Sequence, residues 1–319
     1  MLEKKLVIFL FQYSPVLRIV QDGCLLKNVE FVVLKPPKSF QKILYHFLRI
    51  VGLRKLALFA YSPSKYDVIT TYKKRNISAL FWGAYGMPIW ELISKTIKPI
   101  KKYVFSWSPI DEEKHRGVKT FNRLISGINE AKKNGFIFAT YNPNDAEKYD
   151  MNLTTQVYRK YWDIDFQITQ RDFYFIGKSK GRKYILETLK KELTKRNFSI
   201  DFKIFEDKSQ KFIPYEDNIR LSLSSRCIVD VIAKNYNAGQ TLRPLEALFF
   251  KKKLLTNDSS IVNSDFYHPD NIFIFDENNI TLDGIENFME KPFHEIDESI
   301  TNKYDVNYWL KHFFINGDA

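Results

Sequence analysis

Two short stretches of this 319-residue chain combine residue types that could handle a phosphorylated ligand. The first is DFYFIGKSKGR, residues 172–182. An apolar strand, a turn at Gly177 and the start of a helix would aim backbone N–H groups and the positive end of a helix dipole at an anion. Lys178, Lys180 and Arg182 add charge there, and a guanidinium can grip phosphate oxygens with two parallel hydrogen bonds. The glycine spacing is neither that of a dinucleotide fingerprint nor that of a P-loop, and a solvated turn accounts for the stretch equally well. The second is GQTLRPLEAL, residues 239–248, after the apolar run 227–232. Gly239 frees the backbone to approach a ligand, Gln240 and Thr241 stand where a helix N-cap belongs, and Pro244 suits a first helical turn. Glu246 follows one turn into that helix. Such a helix start offers N–H groups to a diphosphate and a carboxylate to ribose hydroxyls. The plainer alternative is a capped helix whose dipole Glu246 complements.

Other chemistries find little support. The five histidines, His46, His115, His268, His294 and His312, show no HxxxH or HExxH spacing, and Cys24 and Cys227 form no CxxC pair. Asp163-Ile164-Asp165 has the spelling of a metal-binding Asp-x-Asp but lies where a connection between domains is expected. His115, with Asp111 nearby in a polar loop, has the makings of a base, although ordinary surface residues fit that loop better. No Ser-His-Asp or Cys-His set is readable, so no hydrolase is proposed and no catalytic residue is assigned.

The elements that must position these stretches read as alternating short apolar strands and amphipathic helices. Strands are expected at residues 6–11, 29–34, 66–71, 79–82, 103–107 and 136–140. Helices are expected at 40–51, capped by Ser39 and with Ile43, Leu44, Phe47, Leu48 and Val51 on one face, and at 121–133, capped by Thr120. The alternation then restarts. Strands fall at 172–176, 199–205, 227–232, 253–256 and 272–275, and helices at 183–196, 215–224 and 242–250. This is the signature of open α/β sheets. Two Rossmann-like domains facing a cleft are expected, 1–160 and 161–319. A final amphipathic helix at 306–315 would cross back to the first domain.

Composition agrees with two packed domains, since hydrophobic residues make up 45% and aromatic ones 16%. The formal charge of +12 is unevenly placed. Residues 1–150 carry 25 Lys and Arg against 12 Asp and Glu, whereas residues 151–319 carry 24 against 25. A basic first half points to an anionic partner, such as nucleic acid, an anionic membrane or a phosphorylated acceptor, or else to a solvated lysine-rich surface. The apolar run 6–11 is too short for a signal peptide, and the most apolar long stretch, 44–61, is interrupted by Arg49, Arg54 and Lys55. With two distant thiols, a reducing cytoplasm is expected.

GQTLRPLEAL, followed by KKKLLTND and DFYHPDNIFIF, resembles the carboxyl-half signature of bacterial surface-polysaccharide glycosyltransferases of the GT-B architecture. The upstream strings TYNPNDAEKY and DFYFIGK are similar to the same group, so the resemblance spans about residues 136–276. It implies a hexosyl- or deoxyhexosyltransferase of lipopolysaccharide core, O-antigen or related surface-glycan assembly. In that group Glu246 would contact the donor's ribose, and the backbone N–H groups of Thr241 and Leu242 would meet its diphosphate. Lys178 and Arg182 would neutralise the leaving group. Gly177, Gly239, Gln240 and Arg243 complete the implied donor site. No metal or other cofactor is implied, because helix dipoles and basic side chains stabilise the departing diphosphate. The partners implied are a nucleotide-sugar, a lipid-linked glycan acceptor on the basic first domain and the anionic inner face of the bacterial inner membrane, with the protein cytoplasmic and peripheral. One departure is visible: the family run opens with Gln, where this chain has the shorter Asn237.

A nucleic-acid-binding protein would also suit the charge, but no RRM, helix-turn-helix, KH or zinc-finger spelling is present. A non-catalytic assembly protein on a transferase-like fold would be signalled by loss of Glu246, which is retained.

Overall fold

The structure is a computed structural model that describes residues 5–73, 75–110, 117–164, 169–206, 213–232 and 241–317. The chain forms two compact α/β units. The first comprises residues 1–17, 24–155 and 307–319, and the second residues 18–23 and 156–306.

The first unit is built on a six-stranded sheet in the order β2-β1-β3-β4-β5-β6. Its strands are β1 Lys5–Phe11, β2 Val29–Leu34, β3 Ile77–Trp82, β4 Lys102–Ser106, β5 Phe136–Thr140 and β6 Asn152–Leu153. Every neighbouring pair is parallel. Parallel strands need crossover connections, and helices on both faces bury the sheet. That is why β1 and β3 are near-continuous apolar runs rather than alternating ones. Phe9, Phe81 and Trp90 stack in the core beneath, with ring centroids 5.3 and 5.5 Å apart.

The second unit repeats the design. β7 Arg171–Lys178, β8 Ile200–Phe205, β9 Ser225–Asp230, β10 Lys253–Thr256 and β11 Ile272–Ile274 form a parallel sheet in the order β11-β10-β9-β7-β8. In both sheets the chain runs from a central strand to one side and then returns to the other. The reversal falls between β1 and β3 in the first unit and between β7 and β9 in the second. Ligands of open α/β sheets bind beyond the carboxyl ends of the strands at such a switch point.

Three local expectations are corrected. Residues 66–71 form the helix Tyr66–Thr71, not a strand. Its β-branched residues suggest a strand, but only Ile69 is buried, and the Thr70 and Thr71 hydroxyls donate back to the Asp67 carbonyl at 3.1 and 2.7 Å. Ser39 is the first residue of the helix Ser39–Ile50 rather than its cap. The N-cap is Lys38, whose N–H donates to Gln41 Oε1 at 2.9 Å. Thr120 likewise lies inside the helix Val118–Lys133, which Gly117 precedes at φ 101°. The remaining elements fall where the alternation puts them, within a few residues.

The C-terminal segment belongs to the first unit, as the amphipathic pattern of residues 306–315 suggested. Trp309 meets Phe105 with centroids 4.8 Å apart, and Phe314 meets Tyr103 at 5.2 Å. The Trp309 indole N–H donates to the Thr155 carbonyl at 3.1 Å. Among the described residues no helix is long and apolar enough to cross a membrane.

Candidate functional site

The switch point of the second sheet lies where β7 ends at Lys178 and β9 ends at Asp230. Beyond β7 the chain turns through two consecutive left-handed residues, Lys180 at φ 44° and Gly181 at φ 79°. It enters the helix Lys183–Lys195 with Arg182 at the N-cap. A glycine tolerates that conformation freely, whereas Lys180 adopts it at a cost.

Three residues expected at the site meet at this edge. A Cβ placed on Gly177 would stand 3.3 Å from Arg243 Nη2 and 3.5 Å from Arg182 Nη2. It would also be 3.4 Å from Cζ of Phe175. The missing side chain is therefore the space into which two guanidinium groups fit. Both also lie over the Phe175 ring, with Arg243 5.0 Å and Arg182 5.4 Å from its centroid. A ring face attracts cations, so Phe175 holds two like charges in one place.

Their donors are committed largely to the main chain. Arg182 is buried and donates to the carbonyls of Val231 and, at 3.4 Å, Lys178. Arg243 donates to the Ile176 carbonyl and to Asp230 Oδ1, the latter at 3.1 Å. Asp230 is buried, and its second oxygen accepts from the Thr241 hydroxyl at 2.6 Å. The Arg243 N–H in turn donates to Thr241 Oγ1 at 3.4 Å. Asp230 thus fixes both Thr241, one residue ahead of the N-cap of the helix Arg243–Phe250, and the guanidinium at that helix's first position. Leu242 is the N-cap of that helix and accepts from the Glu246 N–H at 2.9 Å. Lys178 ends β7 with its side chain exposed.

Glu246 points inward. It is only 3% exposed, and its Oε1 accepts from the Tyr215 hydroxyl at 2.8 Å. Tyr215 also lies 3.2 Å from the Tyr158 hydroxyl. Tyr158, Trp162, Tyr215 and Phe250 form an aromatic wall around this pair, with centroid distances of 5.7–6.3 Å. Burial drives the Glu246 carboxyl above its ordinary value, against the opposing pull of the Arg243 charge and the Tyr215 hydrogen bond. Burial, with the nearby Glu246 charge second, pushes the Tyr215 hydroxyl well above its own.

Gly239 and Gln240 lie outside the described residues, as do His115, Asp111 and Asp165. Among the described residues no group of three or more His, Cys, Asp or Glu side chains could hold a metal ion. Asp230, Phe175 and Tyr215 were not singled out from the sequence. Asp230 carries a signal in retrospect: an acid inside the apolar run CIVDVI must find a partner once buried. Tyr215 carries none.

No family model matches this sequence, and no curated protein does either. Among solved structures the chain is similar to TarM at 11% identity and a TM-score of 0.41, covering 76% of this chain and 53% of that one. This chain therefore spans about half the length of TarM. It is similar to the glycotransferase of kitacinnamycin at 8% identity and a TM-score of 0.44, covering 95% and 93% of the two chains. It is also similar to an alpha-glucosyltransferase in complex with UDP and a 13-mer DNA containing an HMU base, at 12% identity and a TM-score of 0.45, covering 96% and 95%. These likenesses carry no site residue across.

Proposed function

We propose that the chain is a glycosyltransferase that moves a sugar from a nucleotide-sugar donor to a lipid-linked surface-glycan acceptor, such as a lipopolysaccharide core. The observation that carries this reading is the pair of guanidiniums of Arg182 and Arg243, gathered over Phe175 beside Gly177 at the switch point of the second sheet. A switch point is where an open α/β sheet takes a ligand, and two guanidiniums there select an anionic one. The GQTLRPLEAL resemblance supplies the narrower chemistry.

In this reading the donor's diphosphate lies against the turn of residues 178–182 and the start of the helix Arg243–Phe250. The N–H groups of Thr241 and Leu242 face it, with Gly239 and Gln240 ahead of them in the chain. As the glycosidic bond breaks, negative charge grows on the departing diphosphate. Lys178, Arg182 and Arg243 stabilise that charge in place, so their effect is greatest in the transition state. Asp230 keeps Arg243 from swinging away. Glu246 meets the ribose through Oε2, because Oε1 is occupied by Tyr215. The basic first unit receives the acceptor. No metal is required by this chemistry, and the reading places the protein in the cytoplasm.

The test is release of nucleotide from a panel of UDP-, GDP- and dTDP-sugars in the presence of lipid-linked glycan acceptors, with and without chelator. One donor should turn over, chelator should leave the rate unchanged, and Arg182→Ala should lower kcat more than it raises KM. No turnover with any donor, or turnover abolished by chelator, would sink the reading.

A further inference from the structure

The helix Ser39–Ile50 is amphipathic, yet it turns its apolar stripe outward. Phe40, Ile43, Phe47 and Ile50 are 70, 72, 60 and 79% exposed. Spaced three and four residues apart, they lie on one face. The residue buried against the protein is Tyr45, whose ring meets Tyr61 of the next helix with centroids 5.0 Å apart. That next helix, Arg54–Tyr61, adds the exposed Leu56 and Phe59. Soluble surfaces rarely leave an apolar stripe of this length uncovered.

The charge around the stripe has one sign. Residues 31–66 contain seven Lys and Arg and no Asp or Glu. A groove of about 580 Å³ opens beside the stripe, at the turn between the two helices. Arg54, Lys55, Lys73, Lys95 and Lys98 line it, and among the described residues no carboxylate does. Lys95 and Lys98 stand at the carboxyl end of the helix Met87–Ile97, where cations offset the dipole. Arg54 and Lys55 do the opposite. They open a helix that has no acid in its first turn and no side-chain cap, where the dipole repels a cation. Their placement works against the helix and in favour of an anion bound from outside.

We propose that this face of the first unit is a docking site for bilayers of anionic phospholipid. The stripe enters the interfacial region of the leaflet, and the groove receives lipid phosphates. An apolar helix face beside a lysine- and arginine-rich flank matches the two layers of such a surface, acyl chain beneath and negative headgroup above. The inference deepens the transferase reading, whose lipid-linked acceptor lies at such a surface, but it is argued from the first unit alone, so vesicle binding and nucleotide-sugar turnover can fail separately.

The test is co-sedimentation of the full chain with vesicles of phosphatidylcholine alone and of equal parts phosphatidylcholine and phosphatidylglycerol. Binding to the mixed vesicles should be at least about tenfold tighter and should weaken as salt is raised. Phe47→Ser with Ile50→Ser should weaken it about tenfold, since both side chains lose apolar area that the leaflet would bury. Arg54→Gln with Lys55→Gln should weaken it about tenfold too, while the melting temperature stays level or rises, because two cations leave a helix N-terminus. That second readout separates docking from loss of fold. Equal binding of the parent and both variants to mixed vesicles would overturn the proposal. So would a lipid-free dimer that the Phe47→Ser, Ile50→Ser variant turns into a monomer, since the stripe would then face a second copy. Tighter binding to an oligonucleotide than to mixed vesicles at the same salt, lost in the Arg54→Gln, Lys55→Gln variant, would reassign the groove to nucleic acid.

Discussion

The Tyr215 hydroxyl donates to Glu246 Oε1 at 2.8 Å inside the second unit, so the carboxylate proposed to meet the donor's ribose is also part of that unit's core. Tyr215→Phe would leave that buried carboxyl without this donor. It should destabilise the protein by about 1–3 kcal/mol in chemical denaturation. A variant as stable as the parent would show that the bond contributes nothing net.

The pH dependence of the same group has a definite sign. Burial raises the folded-state value of Glu246 above its ordinary 4.5. A carboxyl raised in this way favours folding most below its unfolded value, and that contribution is lost as pH rises through the folded value. Glu246→Gln removes the titration while keeping an acceptor for Tyr215. The stability difference between variant and parent should therefore move in the variant's favour from about pH 4.5 upward. Parallel stability curves would show that Glu246 does not titrate differently in the folded state.

Gly177→Ala tests the paired guanidiniums. The added Cβ would stand 3.3 Å from Arg243 Nη2, so that guanidinium must give way by a few tenths of an ångström, while Arg182 Nη2 at 3.5 Å is in ordinary contact. The fold should survive, with a small change in melting temperature. If the donor site is as proposed, kcat/KM for the nucleotide-sugar should fall by roughly tenfold, because placement of the charge matters more than its presence. Unchanged turnover would place the reacting diphosphate elsewhere.

Asp230→Asn should be more damaging to the fold than to any one contact. It removes the charge that Arg243 meets at 3.1 Å, at a position 1% exposed. Arg243 is part-exposed and Asn keeps an acceptor, so the loss of this charge-assisted contact should cost about 1.5–3 kcal/mol. The free energy of unfolding in urea measures this directly.

Trp309→Ala should unsettle the first unit. The indole is fully buried between Phe105 and Phe314. Removing a buried Trp costs about 3–5 kcal/mol. Limited proteolysis should then cut the C-terminal segment sooner than in the parent.

Two α/β units, and the place of nearly every strand, are legible in the residues alone. The reason is periodicity: strands buried on both faces are short, largely apolar runs, and 6–11, 79–82 and 227–232 read that way whatever surrounds them. The sequence also marked Gly177, Arg182 and Arg243, since a glycine turn and basic residues at helix starts carry their meaning locally. It misread 66–71, where β-branched residues form a helix because only one of them finds a core to enter. Other features were decided by the tertiary structure alone. Strand order brought β7 beside β9, which set Arg243 against the Ile176 carbonyl and beside Gly177, across residues far apart in the chain. Packing turned Glu246 inward onto Tyr215 and turned the stripe of Phe40, Ile43, Phe47 and Ile50 outward. A hydrophobic pattern states that a helix has two faces. Which face meets the core depends on what else is there to cover it, and that is a property of the assembled fold.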